Sequence, residues 1–139
     1  MKKDRVAIWI KKAALEVEKL SNQVLAPFEL THTQYKILMM LYHSKEQFIR
    51  QKDIETRLSM TNPSVTGIIQ NLEKKGLVVR RQNQEDKRSK LIYLTEHAHE
   101  LEPELSQLGK VLENQVTAYL TEEECKWLCK LLKKMLGND

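Results

Sequence analysis

Between Thr61 and Thr95 the hydrophobic period changes abruptly from helical to extended, and that switch limits the folds open to this chain. In TNPSVTGIIQNLEKKG, residues 61–76, Val65, Ile68, Ile69 and Leu72 recur at spacings of three and four, the inward stripe of a helix. Thr61 or Asn62 can cap this helix, Pro63 suits its first position and Gly76 suits its stop. Two short runs rich in β-branched and aromatic residues follow directly, LVVRR (77–81) and KLIYL (90–94). The polar stretch between them, NQEDKRS, reads as the loop of a hairpin. A single helix and a two-stranded hairpin cannot enclose a core, so the flanking segments must supply the rest.

Those segments are helical in pattern. Val6, Ile10, Ala13, Ala14, Val17, Leu20 and Val24 form one apolar face over residues 4–25, and Pro27 ends it. Thr31 and Gln34 have the spacing of a capping box ahead of Leu38, Leu41 and Tyr42. A short helix is expected over Gln51–Leu58, with Ile54 and Leu58 inward. After Thr95 the positions Leu101, Leu105, Leu108, Leu112, Val116 and Tyr119 step by three and four, and Pro103 within that pattern predicts that the helix begins or bends there. A second capping box, Thr121 with Glu124, opens a last helix whose buried stripe is expected to be Leu128, Leu131, Leu132 and Met135.

The expected fold is therefore mainly α with a small β-hairpin. Residues 31–95 form a winged helix-turn-helix, and residues 1–30 and 96–139 form a helical dimerisation region within one compact chain. Leucine-rich helices at both ends exceed what such a core needs and suggest dimerisation. Val6, Ile10, Leu112, Val116, Leu128 and Leu132 are the interface candidates.

Charge locates the expected partner. The formal net charge is +4, but it is unevenly spread. Residues 1–44 carry seven basic against four acidic groups, residues 45–95 eleven against six, and residues 96–139 five against nine. The basic excess lies in the middle of the chain, where a nucleic-acid footprint would be. No apolar run approaches the ~20 residues that cross a bilayer, and charges interrupt the basic N-terminus before a signal-peptide core can form. A cytoplasmic protein without membrane contact is expected.

The fourth helix offers Asn62, Ser64, Thr66, Gly67, Gln70, Asn71 and Lys74 on its outward side. Amides and hydroxyls of this kind can bond base edges and phosphates, although the same face could be merely solvated. Lys74, Lys75, Arg80, Arg81, Lys87, Arg88 and Lys90 cluster on or beside the hairpin, where a wing would follow the DNA backbone. An Arg at the wing tip can enter a narrow minor groove. Asp86 reads either as a turn-former or as a brace that pairs with Arg88 or Arg81.

At this point the chain resembles a known family. DKRSKLIYLT, Asp86 to Thr95, is similar to the Asp-x-Arg…Leu-Thr wing signature of MarR-type transcriptional regulators. NLEKKGLVVR, Asn71 to Arg80, resembles the run those proteins place between recognition helix and wing. The resemblance implies a homodimer that binds pseudo-palindromic double-stranded DNA and usually represses transcription. Asn62, Ser64, Thr66 and Gln70 would then read the major groove and Arg88 the minor groove, with Lys74, Lys87 and Lys90 on phosphates and Asp86 bracing the wing. It also implies release by a small, commonly aromatic ligand. A winged-helix module for protein contact, its basic face incidental, is the alternative.

The residues say less about a sensor. Cys125 and Cys129 read as buried structural thiols, and their i, i+4 spacing is awkward for an internal disulfide. His32, His43, His97 and His99 show no ligand spacing, so neither a metal nor a cofactor is expected. Trp9, Tyr35, Met39 and Tyr42 could line a small-molecule pocket or be ordinary core, and no ligand residue is assigned. No phosphate loop or catalytic arrangement points to an enzyme.

Overall fold

The structure, a computed structural model, describes residues 4–138. Six helices and a three-stranded sheet follow one another along them. Helix α1 (Val6–Leu25) has no side-chain cap at Arg5 and gives way to a short 3-10 turn, Ala26–Phe28, that contains Pro27. Helix α2 (His32–Tyr42) starts with the full capping box: Thr31 accepts the Gln34 backbone N–H, and Gln34 accepts the Thr31 N–H in return. Strand β1 (Phe48–Arg50) runs straight into α3 (Gln51–Leu58), which ends on Ser59 with φ 52°.

Helix α4 (Asn62–Lys74) is capped by Thr61, so Pro63 occupies the second helical position. Gly76, at φ 73°, stops it. Its N–H bonds to Glu73 and the Leu77 N–H bonds back to Leu72, which joins two buried leucines across the helix end. This turn aims the chain into β2 (Val78–Gln82), which pairs antiparallel with β3 (Lys90–Leu94). The sheet order is β1-β3-β2, with Ile49 opposite Ile92 and Ile92 opposite Arg80. Three residues of β1 thus tie the segment ahead of α3 to the root of the hairpin, a strand that sequence periodicity did not suggest.

Helix α5 (Glu96–Val116) begins at the Thr95 cap, well before Pro103. Proline removes one i→i−4 bond, yet the helix passes through it, because Pro103 is exposed while Ala98 and Leu105 on either side are fully buried. Tyr42 on α2 donates its hydroxyl to the Ala98 carbonyl, and Tyr35 donates to the Leu105 carbonyl at 2.8 Å. Gly109 makes room for that second contact; a Cβ there would lie 3.3 Å from the Tyr35 hydroxyl.

The core runs from α2 through Ile54, Ile69, Leu72 and Ile92 to Leu105, all completely enclosed. Each such side chain contributes about 1.5–3 kcal/mol relative to exposure. Helix α6 (Glu122–Met135) differs from every other helix, because none of its residues is buried and it makes at most marginal contact with the rest of the chain. The expected inward stripe of α6 is therefore not inward in a single chain: Leu128 is 45 %, Leu131 55 % and Met135 55 % exposed. The expectation that both cysteines are buried fails for the same reason, with Cys125 half-buried and Cys129 exposed.

Candidate nucleic-acid interface

Eight residues singled out for DNA contact fall on two elements. Asn62, Ser64, Thr66, Gln70 and Lys74 are on α4, while Lys87, Arg88 and Lys90 are in the hairpin tip and at the start of β3. Asn62, Ser64, Gln70, Lys74, Lys87 and Arg88 are exposed; Thr66 and Lys90 are half-buried. The opposite side of α4 is fastened by Val65, Ile69 and Leu72, all fully buried, so its outward orientation is fixed by core packing.

The first turn of α4 is also wired to α3. Asn62 donates its amide to Glu55 Oε2 at 2.8 Å. Gln51, 3 % exposed, donates through Nε2 to Thr66 Oγ1 at 2.8 Å and to Glu55 Oε2 at 3.4 Å. Ser64 accepts from the Thr61 hydroxyl at 2.9 Å. Thr66 is thus less free than its outward placement in sequence suggested, since its oxygen is already an acceptor. Gln51 and Glu55 had no signal in the sequence beyond being polar residues on a short helix.

The hairpin tip is held by its own side chains. Ser89 bonds back to the Asp86 carbonyl at 2.9 Å, closing a turn, and Asn83 continues the ladder to Ser89 at 3.0 Å. Asn83 Oδ1 accepts the Glu85 N–H at 3.0 Å, and Gln82 Nε2 donates to the Lys87 carbonyl at 2.8 Å. Asp86 Oδ1 accepts the backbone N–H of Arg88 at 3.1 Å and lies 3.6 Å from its Nε. The Arg88 side chain is 95 % exposed, so the tip presents a guanidinium whose base is anchored and whose fork is free.

Not every cation of the cluster is available. Lys75 turns toward α2, donating to Gln34 Oε1 at 3.1 Å and to the Glu29 carbonyl, and so closes the helix end instead of facing outward. Arg80 is half-buried on β2, and its Nε and Gln51 Oε1 are the two buried side-chain polar atoms without a partner among the described residues.

Away from this surface, a cleft of about 690 Å³ opens beside α2, lined by Tyr35, Met39, Met40, His43, Leu58 and Leu112, with Lys45 and Arg57 also at its wall. Two of the pocket candidates from the sequence, Tyr35 and Met39, line it, whereas Trp9 and Tyr42 do not. The Tyr42 phenol is committed to α5, and burial, reinforced by Glu102 and Tyr35, pushes its pKa up to about 12. His32 lies at one end of the cleft with Nδ1 2.7 Å from the buried Ser21 hydroxyl. Burial first, then the charge of Lys36, holds its imidazole below the usual range, with Glu18 acting in the opposite sense.

The six dimer candidates divide between exposed and half-buried positions. Val6, Val116 and Leu128 are exposed, and Ile10, Leu112 and Leu132 are half-buried. Other large apolar residues not chosen as interface candidates are exposed as well, notably Trp9, Tyr119, Trp127 and Leu131. Among the described residues no three His, Cys, Asp or Glu side chains converge as a metal site would require, and no helix is long and apolar enough to cross a membrane.

Residues 30–90 match the MarR family profile. The chain is 32 % identical over 127 residues to YwoH of Bacillus subtilis (strain 168), an uncharacterized HTH-type transcriptional regulator, an alignment covering 91 % of this chain and 90 % of that protein. A mutant MarR from E. coli, solved in complex with operator DNA, is 30 % identical and superposes with a TM-score of 0.83 over 94 % of this chain and 93 % of that one. The S. aureus MepR–DNA complex gives 28 % identity and a TM-score of 0.84 over 97 % and 98 % of the two chains. The mainly helical winged fold expected from the sequence is the fold these structures share.

Proposed function

Since the chain belongs to the MarR family and is a DNA-binding transcriptional regulator, we propose that it acts in the cytoplasm as a homodimeric repressor of a pseudo-palindromic operator and is released by a small ligand. The observation that carries the DNA-reading surface is the pairing of two prepared features. One is an α4 face of amides and hydroxyls backed by a rigid core; the other is a self-braced tip holding Arg88 almost wholly in solvent. On this reading Asn62, Ser64, Thr66 and Gln70 face bases, Arg88 enters the minor groove, and Lys74, Lys87 and Lys90 contact phosphate. The alternative of a protein-contact module has no such support, since relatives of matching fold were solved on DNA.

The homodimer reading rests on the large apolar side chains left exposed on α1, the end of α5 and α6, notably Val6, Trp9, Val116, Trp127, Leu128 and Leu131. Residues 31–95 are then the reading unit, and 1–30 with 96–139 the pairing unit. For the ligand we favour the cleft beside α2, because Tyr35 and Leu112 connect it to α5 and Leu58 to α3, so an occupant would touch both units. Its wall of Met39, Met40 and Tyr35, with Lys45 and Arg57, suits an aromatic molecule carrying an acidic group.

Selection of bound DNA from a random pool tests the reading directly. The expected product is an inverted repeat whose half-site centres are about 34–36 Å apart, one helical turn. Recovery of no enriched sequence, or of an unpaired half-site, would contradict it.

A further inference from the structure

We infer that Glu55, which lies on α3 and outside the proposed base-reading set, sets the hydrogen-bond polarity of the recognition helix and is therefore a specificity-determining residue. The inference rests on the reading of α4 as the DNA-facing helix.

A carboxylate can only accept hydrogen bonds. Glu55 Oε2 receives two side-chain amides, Asn62 Nδ2 at 2.8 Å and Gln51 Nε2 at 3.4 Å. Amide nitrogen and oxygen are normally interchangeable in assignment and are decided by their partners. Here the partner admits one answer, because the reverse orientation would set a carbonyl oxygen against a carboxylate oxygen. Asn62 must turn its NH2 inward, which leaves its Oδ1 as the group it offers outward.

The constraint passes one step further. With one Gln51 Nε2 proton directed to Glu55, the other reaches Thr66 Oγ1 at 2.8 Å. The orphaned Gln51 Oε1 shows that this amide adopts its orientation despite leaving an acceptor unpaired in a site only 3 % exposed. Since the Thr66 oxygen already accepts, its hydroxyl proton is free to be donated, and among the described residues it has no other acceptor. One carboxylate on α3 therefore makes Asn62 an acceptor and Thr66 a donor toward whatever faces α4.

In DNA terms the two requirements differ. An outward Asn62 Oδ1 pairs with an amino group, adenine N6 or cytosine N4. An outward Thr66 proton pairs with guanine O6 or N7, thymine O4 or a phosphate oxygen. Glu55 touches none of these atoms and acts by positioning.

The test uses selection from a random DNA pool with the full chain and five variants. N62A first identifies the operator position whose preference depends on Asn62. E55A should then relax that same position by roughly five- to ten-fold in relative affinity, the scale of one base-edge hydrogen bond, with the other positions unchanged. E55Q, close in shape but able to donate as well as accept, no longer forces the Asn62 amide one way and should relax the same position while leaving the others unchanged; a wild-type preference there would overturn the inference. Q51L, close in volume to the residue it replaces, should leave the Asn62 position intact while altering any preference lost in T66V. A purely structural role for Glu55 predicts a uniform loss at all positions, and that result would overturn the inference. So would an unaltered preference in E55A, or an N62A protein that reads the wild-type operator. If the wild-type chain enriches no sequence at all, the DNA-reading assignment of α4 is what fails.

Discussion

Asp86 Oδ1 accepts the backbone N–H of Arg88 at 3.1 Å and sits 3.6 Å from the guanidinium of the same residue. The two contacts have different consequences, one shaping the turn and the other aiming the side chain. Exposed ion pairs contribute about 0–1 kcal/mol to stability, so this one matters for what it presents and not for how firmly the domain folds. Arg88→Ala should weaken operator binding by about 1–3 kcal/mol, with the unfolding midpoint unchanged. Asp86→Asn keeps the turn bond and should lose less affinity than Asp86→Ala. Fluorescence anisotropy on a selected operator measures all three, and full affinity in the Arg88 variant would remove the wing from the interface.

Gly67 sits in the middle of α4, exposed, and a Cβ built there meets nothing within 4 Å. Glycine in a helix interior costs about 0.5–1 kcal/mol relative to alanine. Gly67→Ala should therefore raise the stability of the free protein by that amount. If the bare backbone is there for close approach of DNA, the same change should lower operator affinity by roughly ten-fold. A variant that is more stable and binds equally well would separate Gly67 from the interface.

Salt titration distinguishes cations that meet phosphate from those that brace the fold. Affinity should fall steeply with salt, and Lys74→Ala or Lys87→Ala should each reduce the logarithmic slope by about one without altering sequence preference. Lys75→Ala should leave the slope alone and reduce stability, because Lys75 bonds to Gln34 and the Glu29 carbonyl.

Leu131 is 55 % exposed on a helix that buries nothing in its own chain. Leu131→Glu should leave the α2–α5 core intact yet convert the protein to monomers in sedimentation, with a parallel loss of operator affinity. Truncation after Tyr119 should do the same. A monomeric variant with undiminished binding would contradict the dimeric operator complex.

The His32 imidazole is held below its ordinary value by burial and by Lys36. Around pH 6.5 the unfolded chain consequently binds more protons at this position than the folded one, so stability rises with pH there. Stability should be full above about pH 7.5, fall as the pH drops through 6.5, and level off below the folded-state value. His32→Asn should flatten this part of the profile in denaturant unfolding between pH 5 and 8; an identical slope would assign the acid sensitivity elsewhere.

What could be read ahead of the structure was whatever local chemistry dictates. Both capping boxes, the span of α3, the Gly76 stop and the edges of β3 follow from neighbouring residues and were legible. The three residues of β1 were not, because so short a strand shows no alternation and exists only through its pairing with β3. Pro103 misled about the start of α5, since the deciding contacts are the burial of Ala98 and Leu105 and the hydroxyls of Tyr42 and Tyr35, all set by a distant helix. At the candidate site the exposed side chains were legible as outward and polar. The polarity of their hydrogen bonds was not, because it originates in Glu55, on another helix and with no periodic signature.

The isolation of α6 also bears on how the protein would count itself. In the proposed dimer, a helix whose apolar face is mostly uncovered would gain its packing from a second chain, and mass action would then tie the competent species to the square of the chain concentration at low abundance. Doubling synthesis would raise the number of active regulators up to four-fold. For a protein that represses through such a pair, α6 would act as a threshold element, leaving a gene quiet or open according to how many copies of the chain happen to be present.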